Sequence, residues 1–594
     1  MILERLDAVS DRVFRTMASC TLKWIRKKTV ADGAAEVLPT TPSKSGLYRA
    51  VLRWQEKSVW LRTKKWLFDR ILEASVSDVG LFLVSWGVVA LGGNWLFRHA
   101  APLSPRMLLP VAQILSASVL LRSDQSVSRC IRYSRMLRCL LFSFCGLSEV
   151  SFKAKQRTGG HRVGFLIGGV LIGLLSVLFS PFKVGILLLS VLLFALLSAV
   201  PEAALTALLF LLPFCNLTAH PTVTLGVGVF LCMAVCFGKA ISGKRQVGWG
   251  RTDGLVLWLC ALFVMGGIVS YGSAYDGCLR AFLLFGAWFP TRLILSSRVW
   301  RSRACSALAV SSFLCAVCGI LEYVLGKAEL AWVDVSRFGD LGGRVCGGFG
   351  NPNLFAIFLL LTVPFSLKAV FTLEGVSQKL VSLGMFLTGS LCLVLTWSRG
   401  AWLAWMLSVL LFLALCSRRS FSVLIAGGVG AVGLLFYLPQ TVVRRFQSIG
   451  SMTDSSANYR IHPWRGVLRM IRANPWGIGC GEEAFHRVFP IYAVSGTEQV
   501  MHPHQILLQV FAELGLAGGL LFAVLMGMLL GGIVRFCRNT PEGERRAEGV
   551  VLFSILAGAL LMGCFDSLWY HNGLFWLFWV LCAMYKNRMS EGNV

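Results

Sequence analysis

The sequence predicts an all-α polytopic membrane protein with about 13–16 transmembrane helices and one large extracytoplasmic helical loop. Of its 594 residues, 56% are hydrophobic and only 14% are charged, and the mean hydropathy is +0.69. A soluble domain carries roughly 25% charged residues, so a water-facing surface could not be built from this composition. A bilayer accommodates it, provided that every backbone amide is satisfied inside a helix.

Apolar runs of about 15–25 residues alternate with short loops from residue 79 onward, as a hydrocarbon core of ~30 Å requires. Several early runs could merge or be re-entrant, which is why the number of spans is a range. The segment 137–149 is too short and too closely flanked by arginine to cross. The predicted spans lie near 79–97, 107–121, 163–180, 183–200, 203–219, 221–239, 253–273, 278–296, 303–326, 353–372, 380–397, 401–416, 420–438, 505–534, 549–566 and 574–586.

The distribution of lysine and arginine predicts which loops face the cytoplasm, because positively charged loops are retained there during insertion. Five basic loops fall on one side if each run crosses once, and both termini then lie on that side. These loops are Lys239–Arg251, Arg298–Arg303, Arg418–Arg419, Arg535–Arg546 and Lys586–Arg588. The external side receives Gly326–Asn353, the Ser398–Gly400 turn, residues 440–504 and Asp566–Asn572.

The formal net charge of +28 does not indicate a nucleic-acid partner. The cations cluster between apolar runs, and no zinc-finger spacing or base-reading basic helix is present. Residues 1–78 are basic and lack an apolar run long enough to insert. They are predicted to form a cytoplasmic amphipathic region on anionic lipid, with a partner-binding domain as the alternative. Residues 79–150 are interpreted as extra N-terminal membrane spans.

Most of the 19 cysteines lie inside apolar runs, where they pack as small hydrophobic residues. Cys346 and Cys480 are exceptions, because both fall in predicted external loops. Whether they form a disulfide stays open at this stage, since the sequence gives no evidence that they are close together.

The long external loop, residues 440–504, carries seven arginines. Loops of this length largely escape the charge rule, so their cations are permitted outside. Within the loop, Asn458–Ile471 has the period of an amphipathic helix. Its predicted packed face is formed by Arg460, Trp464, Leu468 and Ile471, and a second, basic stripe that fits a solvated face is formed by Arg465, Arg469 and Arg472. A buried guanidinium needs an anionic partner, so Arg460 is a candidate binding residue.

Two histidines stand at the junction of this loop and the next membrane helix. Pro503 suits the first turn of a helix, which puts His504 at the N-terminal end of the 505–534 span. A neutral imidazole there can accept a proton, so His504 is the candidate catalytic residue. His502 and His504 could instead be a metal pair, although no third ligand is obvious, or interfacial polar residues. Glu513 lies on the opposite helix face and is interpreted as a structural buried acid.

Two further external segments carry arginine. Arg399 stands where one span ends and the next begins, between two tryptophans that suit the membrane interface. A cation held against lipid is costly and indicates function, although snorkelling to the headgroups is the alternative. Arg344 precedes a flexible glycine-rich segment that contains Asn351 and Asn353 and leads into the next helix.

These fragments, in this order, resemble the O-antigen ligase and O-antigen polymerase family of membrane glycosyltransferases. The likeness covers residues 160–590, which are therefore expected to form an O-antigen ligase-like membrane core. The matching pieces are Arg344…Gly348-Phe349-Gly350-Asn351-Pro352-Asn353 with Pro364, Ser398-Arg399-Gly400, Arg460…Trp464…Asn474-Pro475-Trp476-Gly477-Ile478-Gly479, and His502-Pro503-His504-Gln505 continuing to Glu513, Gly515 and Gly518. The family commonly has asparagine after this histidine, and Gln505 is a mild departure.

The resemblance implies that two arginines grip a polyprenyl diphosphate and that a histidine near the loop exit assists the acceptor hydroxyl. The matching positions are Arg399, Arg460 and His504, with Arg344 in support. The secondary site residues are His502, Asn351, Asn353 and Trp464. No cofactor or metal is expected, and the chain has no Asp-x-Asp motif of the kind that chelates Mg²⁺ for a nucleotide sugar.

The expected function is inverting transfer of a glycan from a polyprenyl-diphosphate donor to an acceptor, on the outer face of the bacterial cytoplasmic membrane. The acceptor could be a glycan, a lipid or a protein, and the sequence does not distinguish a ligase from a polymerase. Membrane lipids are the other expected partners. A membrane transporter of an anionic or lipid-linked solute is the alternative, but transporters place such charges at the midplane and often in repeated halves. Here the candidate charges gather on one face, which favours the enzyme.

Overall fold

The computed structural model describes most of the chain, with gaps between the described segments. These segments are residues 69–99, 104–138, 162–179, 201–241, 250–268, 271–329, 343–434, 455–494, 502–567 and 569–590, with isolated positions in between. The side chains of residues 455–462 are outside this description, although their backbone is helical. The predicted cytoplasmic region 1–78 and the predicted span 183–200 lie largely outside it as well.

Helices make up most of the described residues, and no β-strand occurs among them, which confirms the all-α prediction. The helices of the first part are α1 (Val76–Arg98), α2 (Pro105–Leu120), α3 (Val127–Tyr133), α4 (Arg135–Arg138), α5 (Arg162–Phe179), α6 (Pro201–Leu211), α7 (Pro221–Ile241), α8 (Arg251–Ile268), α9 (Ala274–Ile294) and α10 (Arg298–Val324). They are followed by α11 (Pro352–Thr362), α12 (Pro364–Thr372), α13 (Val376–Leu395), α14 (Arg399–Cys416), α15 (Arg418–Leu434), α16 (Ser455–Ala473), α17 (Glu482–Tyr492), α18 (Ile506–Leu530), α19 (Ile533–Asn539), α20 (Glu544–Met562) and α21 (Asn572–Ser590).

Eight helical segments among the described residues are long and apolar enough to cross a membrane. Each coincides with a predicted span. Their outward surfaces carry many exposed leucines, valines and phenylalanines, for example on α1, α5 and α18. Contiguous apolar surface of this kind is unstable in water and suits lipid. The fold class is therefore that of a polytopic helical membrane protein.

The chain divides into two compact units, and the larger one holds all of the candidate site residues. The first unit is Met1–Ala204 with Gly238–Lys244, and the second is Leu205–Phe237 with Arg245–Val594. In the first unit α1 packs against α2 and α5. Trp86 on α1 donates to Ser176 Oγ on α5 at 2.6 Å, and small residues such as Gly169 let the two helices approach.

The most consequential feature of the second unit is a break in α18 at Gly515. Its backbone has φ 69° and ψ −170°, a conformation that strongly favours glycine. The break frees the carbonyl groups of Ala512 and Glu513 from the helical hydrogen-bond pattern. Their oxygens accept instead from the amides of Ile478 at 2.8 Å and Gly479 at 3.2 Å. A free polar backbone group inside a membrane is costly, so the turn at residues 475–481 stabilises the break.

The same 475–481 turn is also fastened to the helix pair α8 and α9. Cys480 N donates to Gly266 O at 2.8 Å, and Ser273 N donates to Cys480 O at 2.9 Å. Gly477 has φ 91°, and a Cβ there would lie 2.5 Å from Glu513 O. Gly477 is therefore required by close backbone contact with α18, and Gly479 adopts φ 102°, which also favours glycine. Cys346 and Cys480 are both free thiols, so the disulfide left open above is not formed.

Buried ion pairs tie the opposite ends of these helices together. Asp253 on α8 accepts from Trp288 Nε1 at 2.7 Å and from Arg292 Nε at 3.2 Å, both on α9. Arg301 on α10 donates to Glu548 on α20 at 2.9 Å. Buried charges persist only when they are paired, so these contacts fix which helices are neighbours.

Helix α16 confirms the amphipathic helix predicted within the external loop and extends it to Ser455–Ala473. Among the described residues of the predicted packed face, Leu468 is wrong, because it is 45% exposed while Val467 and Met470 are buried. The helix is rotated relative to the predicted stripe. The basic stripe of Arg465, Arg469 and Arg472 is exposed, as a solvated face requires.

Replacement of Gly515 by alanine should destabilise the protein by more than about 2 kcal/mol, because an alanine strained at this φ would also overlap the 475–481 turn. A Cβ at this position would lie 2.5 Å from Pro475 O. Gly527→Ala on the same helix is the matched control, since no atom lies within 4 Å of its Cβ position. We expect it to be neutral or slightly stabilising. Thermal unfolding in detergent measures both, and equal midpoints would contradict the role given to the break.

Candidate active site

The candidate site is organised around Asp566, which lies between α20 and α21 and is 7% exposed. Its Oδ1 accepts from Ser567 N at 2.8 Å. The same oxygen lies 3.3 Å from His502 Nε2 and 3.3 Å from His504 Nδ1. The centroids of the two imidazole rings are 4.0 Å apart. One buried carboxylate therefore orients both histidines of the predicted motif.

Local backbone contacts hold the two histidines in place. The Gln505 side chain caps α18 by accepting from Leu508 N, and Ile506 N donates to Gly563 O at 2.7 Å. His504 itself has φ 51°, an uncommon conformation for a residue with a side chain. The start of α18 is thus hydrogen-bonded to the end of α20, and Asp566 comes shortly after α20 in the chain. This join brings residues 504 and 566 together.

Arg344 and Asn353 approach the other oxygen of the carboxylate. Asn353 Nδ2 donates to Asp566 Oδ2 at 2.9 Å, and Arg344 donates to Asn353 Oδ1 at 2.8 Å. Arg344 Nε also donates to Thr396 O at 2.8 Å. Asn351 caps α11 by accepting from the amides of residues 353 and 354. The four predicted positions Arg344, Asn351, Asn353 and His504 are therefore parts of one arrangement.

Arg399 begins α14, directly after the turn that receives the Arg344 hydrogen bond. It is partly exposed, whereas its neighbours Ser398 and Gly400 are buried. A Cβ on Gly400 would lie 2.8 Å from the Cβ of Phe565, so this turn packs against the residue that precedes Asp566. The structure thus places Arg399, which is partly exposed, beside the Asp566 cluster.

The Arg460 side chain is outside the description, so its predicted contact with a diphosphate stays a prediction. Its helix is nevertheless placed. Trp464, one turn further along α16, donates from Nε1 to Pro503 O at 2.9 Å, between the two histidines. The backbone of residue 460 therefore lies on a helix that is anchored at the candidate site.

A second chain of polar contacts runs from Asp566 into the membrane helices. Ser567 Oγ donates to Gln509 Oε1, and Gln509 Nε2 donates to Glu513 Oε1 at 2.9 Å. Glu513 forms a buried ion pair with Arg280 of α9. Glu513 does not touch His504, which agrees with its predicted role as a structural acid, but it is linked to Asp566 through two intervening side chains.

Tyr570 links the far end of this chain of contacts back to the histidine pair. The Arg280 guanidinium carbon lies 5.3 Å from the centroid of the Tyr570 ring, and that ring lies 5.3 Å from the His502 ring. Burial raises the pKa of Tyr570, so its phenol stays protonated. The histidine pair is thus held from one side by Asp566 and from the other by an aromatic ring.

The neighbouring His571 has a structural role. Burial lowers the pKa of its imidazole to about 4, so the ring is neutral. Its Nδ1 accepts from Leu574 N at 3.2 Å at the start of α21, and its ring contacts Phe349. It is therefore a helix cap at the edge of the site.

Asp566 also supplies the third ligand that the sequence did not reveal for a metal pair. The nearest ligand atoms of His502, His504 and Asp566 all lie within 4.8 Å of one another. Zinc at about 2.0–2.1 Å from each ligand in a tetrahedron would separate the ligands by about 3.4 Å. The two 3.3 Å contacts are compatible with that spacing, so Asp566 is a third candidate ligand, one that is not obvious from the sequence.

Asp566, Arg280, Gln509 and Tyr570 were not singled out from the sequence. The sequence did indicate that Asp566 and Tyr570 lie in a short external loop, Asp566–Asn572, on the same side as the candidate residues. The local pattern does not reveal the contacts of Arg280 with Glu513 or of Gln509 with Ser567, because these partners are distant in sequence. Buried polar residues in membrane helices generally mark functional or structural sites, which is the general rule that could have found them.

Comparison with protein families gives one match, to the family described as O-antigen ligase, over residues 384–523. This segment is about a quarter of the chain and contains Arg399, Arg460, His502 and His504. Arg344 and Asp566 lie outside it but contact the same cluster. The match confirms the resemblance inferred from the motifs, and together with the apolar helices it indicates an integral membrane protein. No curated protein matches the chain.

Glu513→Gln should destabilise the protein by about 3–5 kcal/mol, because the substitution leaves the buried Arg280 without an anionic partner. Arg487→Ala, which breaks the exposed pair with Glu483, should change stability by less than about 1 kcal/mol. Thermal unfolding in detergent compares the two variants. An unchanged midpoint for Glu513→Gln would show that the Arg280–Glu513 pair does not hold α9 against α18.

Proposed function

Starting from the O-antigen ligase match of residues 384–523, we propose that this protein transfers a glycan from a polyprenyl-diphosphate donor to an acceptor on the outer face of the membrane. The match supports glycan transfer of the ligase or polymerase type. The observation that carries the detailed proposal is the contact of one buried carboxylate, Asp566, with both His502 and His504. This arrangement suits removal of a proton from a hydroxyl group.

On the acceptor side, His504 takes the proton from the attacking hydroxyl group. Its Nδ1 faces Asp566, so the opposite ring nitrogen, Nε2, is the basic atom. The imidazolium that forms is stabilised by the carboxylate, which itself stays ionised, as in other histidine–aspartate pairs. His502 lies against the same oxygen and helps to hold the ring.

On the donor side, cations bind the diphosphate. Arg399, beside the cluster, and Arg460, on the helix anchored by Trp464, hold the headgroup. Arg344 donates to Thr396 and Asn353, so it supports the turn that carries Arg399. Negative charge grows on the diphosphate as the bond to the anomeric carbon breaks, and preorganised guanidinium groups stabilise that charge.

The reaction inverts the anomeric carbon. The acceptor oxygen forms its bond to this carbon from the face opposite the diphosphate, and the bond to the phosphate oxygen breaks. The polyprenyl diphosphate leaves as an anion, and the acceptor proton goes to His504. The arginines neutralise the leaving group, so we propose that no metal ion takes part.

The outer-face placement rests on the charge rule, which puts the basic loops on the cytoplasmic side. Residues 344, 399, 504 and 566 then share the external side, where a lipid-linked donor is exposed. Both termini are cytoplasmic in this arrangement.

A transporter is the other candidate, because broken membrane helices such as α18 often form transport sites. In such sites the free carbonyl groups coordinate the cargo. Here the carbonyls of Ala512 and Glu513 accept from Ile478 and Gly479, so the break is satisfied by the protein itself. This observation favours the enzyme.

His504→Ala should reduce transfer of a labelled glycan from a purified lipid-diphosphate donor by about 10²–10⁴-fold, the contribution typical of a general base. Asp566→Asn should also reduce it, because the amide cannot stabilise an imidazolium. Arg469→Ala, on the exposed basic stripe, is the control and should retain full activity. The assay is run in detergent, where a transporter has no two compartments. Full transfer by both His504→Ala and Asp566→Asn would remove the proposed site.

Transfer should be unaffected by a chelator such as EDTA, because the diphosphate charge is neutralised by arginines. The control is a Mg²⁺-dependent glycosyltransferase treated in the same buffer. If EDTA abolishes transfer and a divalent cation restores it in wild type, the metal-free mechanism is wrong. His502, His504 and Asp566 would then be reassigned as a metal centre.

A further inference from the structure

A cavity of about 500 Å³ opens beside the candidate active site. It lies between the first turns of α9 and α17 and the loop before α21. Its walls are formed by Asp276, Leu279, Arg280, Glu482, Glu483, His486, Tyr570 and Asn572. Its volume is within the range of small-molecule sites, about 300–1,000 Å³. We call it the α17 cavity.

Tyr570 and Arg280 connect the α17 cavity to the histidine pair. The Tyr570 ring lines the cavity and lies 5.3 Å from the His502 ring. A molecule in the cavity is therefore separated from the histidine pair by one side chain, and from His504 by Tyr570 and His502. Arg280 is 4% exposed and its charge is balanced by Glu513. Arg280 is therefore a fixed wall of the cavity, whereas Glu482, Glu483 and His486 are more exposed.

The charges of the α17 cavity differ in sign from those proposed to bind the donor. Glu483 is paired with Arg487, and Arg280 is paired with Glu513. Asp276 and Glu482 remain. His486 Nε2 lies 3.9 Å from Glu482 Oε1, and no arginine or lysine among the described residues forms an ion pair with either carboxylate. Carboxylates in the first turn of a helix also interact favourably with the helix dipole. That role does not explain why the acidic first turns of two helices border the same cavity. A diphosphate would be repelled by these two carboxylates.

The hydrogen-bonding groups of the α17 cavity match those of a sugar. Asp276 and Glu482 accept hydrogen bonds from hydroxyl groups. The Asn572 amide can accept through Oδ1 and donate through Nδ2, which also donates to Thr222 Oγ1 at 3.1 Å. Tyr570 and Leu279 add apolar surface for the carbon skeleton. Charged acceptors give the stronger hydrogen bonds to hydroxyl donors.

We propose that the α17 cavity binds an uncharged sugar residue of the acceptor, next to the hydroxyl group that attacks the donor. This inference rests on the proposed function and deepens it. The acceptor is then itself a glycan, or a lipid that carries one, rather than a protein side chain. Anionic sugars are disfavoured by Asp276 and Glu482.

The test measures binding without transfer, in the full-length His504→Ala protein in detergent. The probes are the methyl glycosides of glucose, galactose and N-acetylglucosamine, with methyl glucuronide as the anionic comparison. Saturation-transfer NMR reports weak binding of this kind. We expect at least one uncharged glycoside to bind, and methyl glucuronide to bind at least 10-fold more weakly than that glycoside.

Glu482→Ala in the same background should weaken binding of that glycoside by about 10-fold. Glu374→Ala is the matched control, because this glutamate is exposed in the loop between α12 and α13. Glu482→Gln, which keeps a hydrogen-bond acceptor, should lose less than Glu482→Ala. In a protein with His504 intact, Glu482→Ala should raise the acceptor KM and leave kcat and the donor KM unchanged.

The outcomes separate this inference from the proposed function. Absence of glycoside binding, or binding that Glu482→Ala leaves unchanged, overturns the sugar site whether or not the protein transfers glycans. Equal binding of methyl glucuronide overturns it as well. Glycoside binding that depends on Glu482, in a protein without transfer activity, supports the sugar site and contradicts the proposed function instead.

Discussion

The break in α18 at Gly515 is the constraint from which the rest of the site follows. A membrane helix can be interrupted only where its free carbonyl groups find donors, and the amides of Ile478 and Gly479 supply them. The short half of α18 before the break starts directly after His504. The turn that satisfies the break leads directly into α17, and it is also bonded to the start of α9. One backbone contact thus determines the position of the histidine pair and of the α17 cavity together.

The charges around this contact divide into two groups of opposite sign, with Asp566 between them. Arg344 reaches Asp566 through Asn353, and Arg399 starts the adjoining helix. On the other side, the acidic first turns of α9 and α17 border the cavity. A transferase that joins an anionic donor to an uncharged acceptor benefits from this division. The acidic cavity repels the anionic donor, and the basic region binds an uncharged acceptor only weakly.

Much of this arrangement could be predicted from the sequence, and the parts that could not share a physical cause. Composition and run length predicted the helical membrane fold, because both follow from the bilayer and not from details of packing. The motif around His504 was recognised because it is local. Asp566 and Arg280 were missed because their partners lie 62 and 233 residues away, and no periodicity reports a contact at that range. Leu468 was placed on the wrong face of α16, since the period gives a stripe but not the direction from which a neighbour packs.

The shared carboxylate limits how many protons the histidine pair can carry. His502 and His504 face the same oxygen of Asp566, and their rings are 4.0 Å apart. With Asp566 ionised, one imidazolium makes the cluster neutral, whereas two would leave an excess positive charge at a partly buried site, which is costly. A pair that has taken up one proton cannot readily take up a second until the first is released. In the proposed reaction, release of that proton after the lipid-diphosphate leaving group departs is accordingly a required step of each cycle.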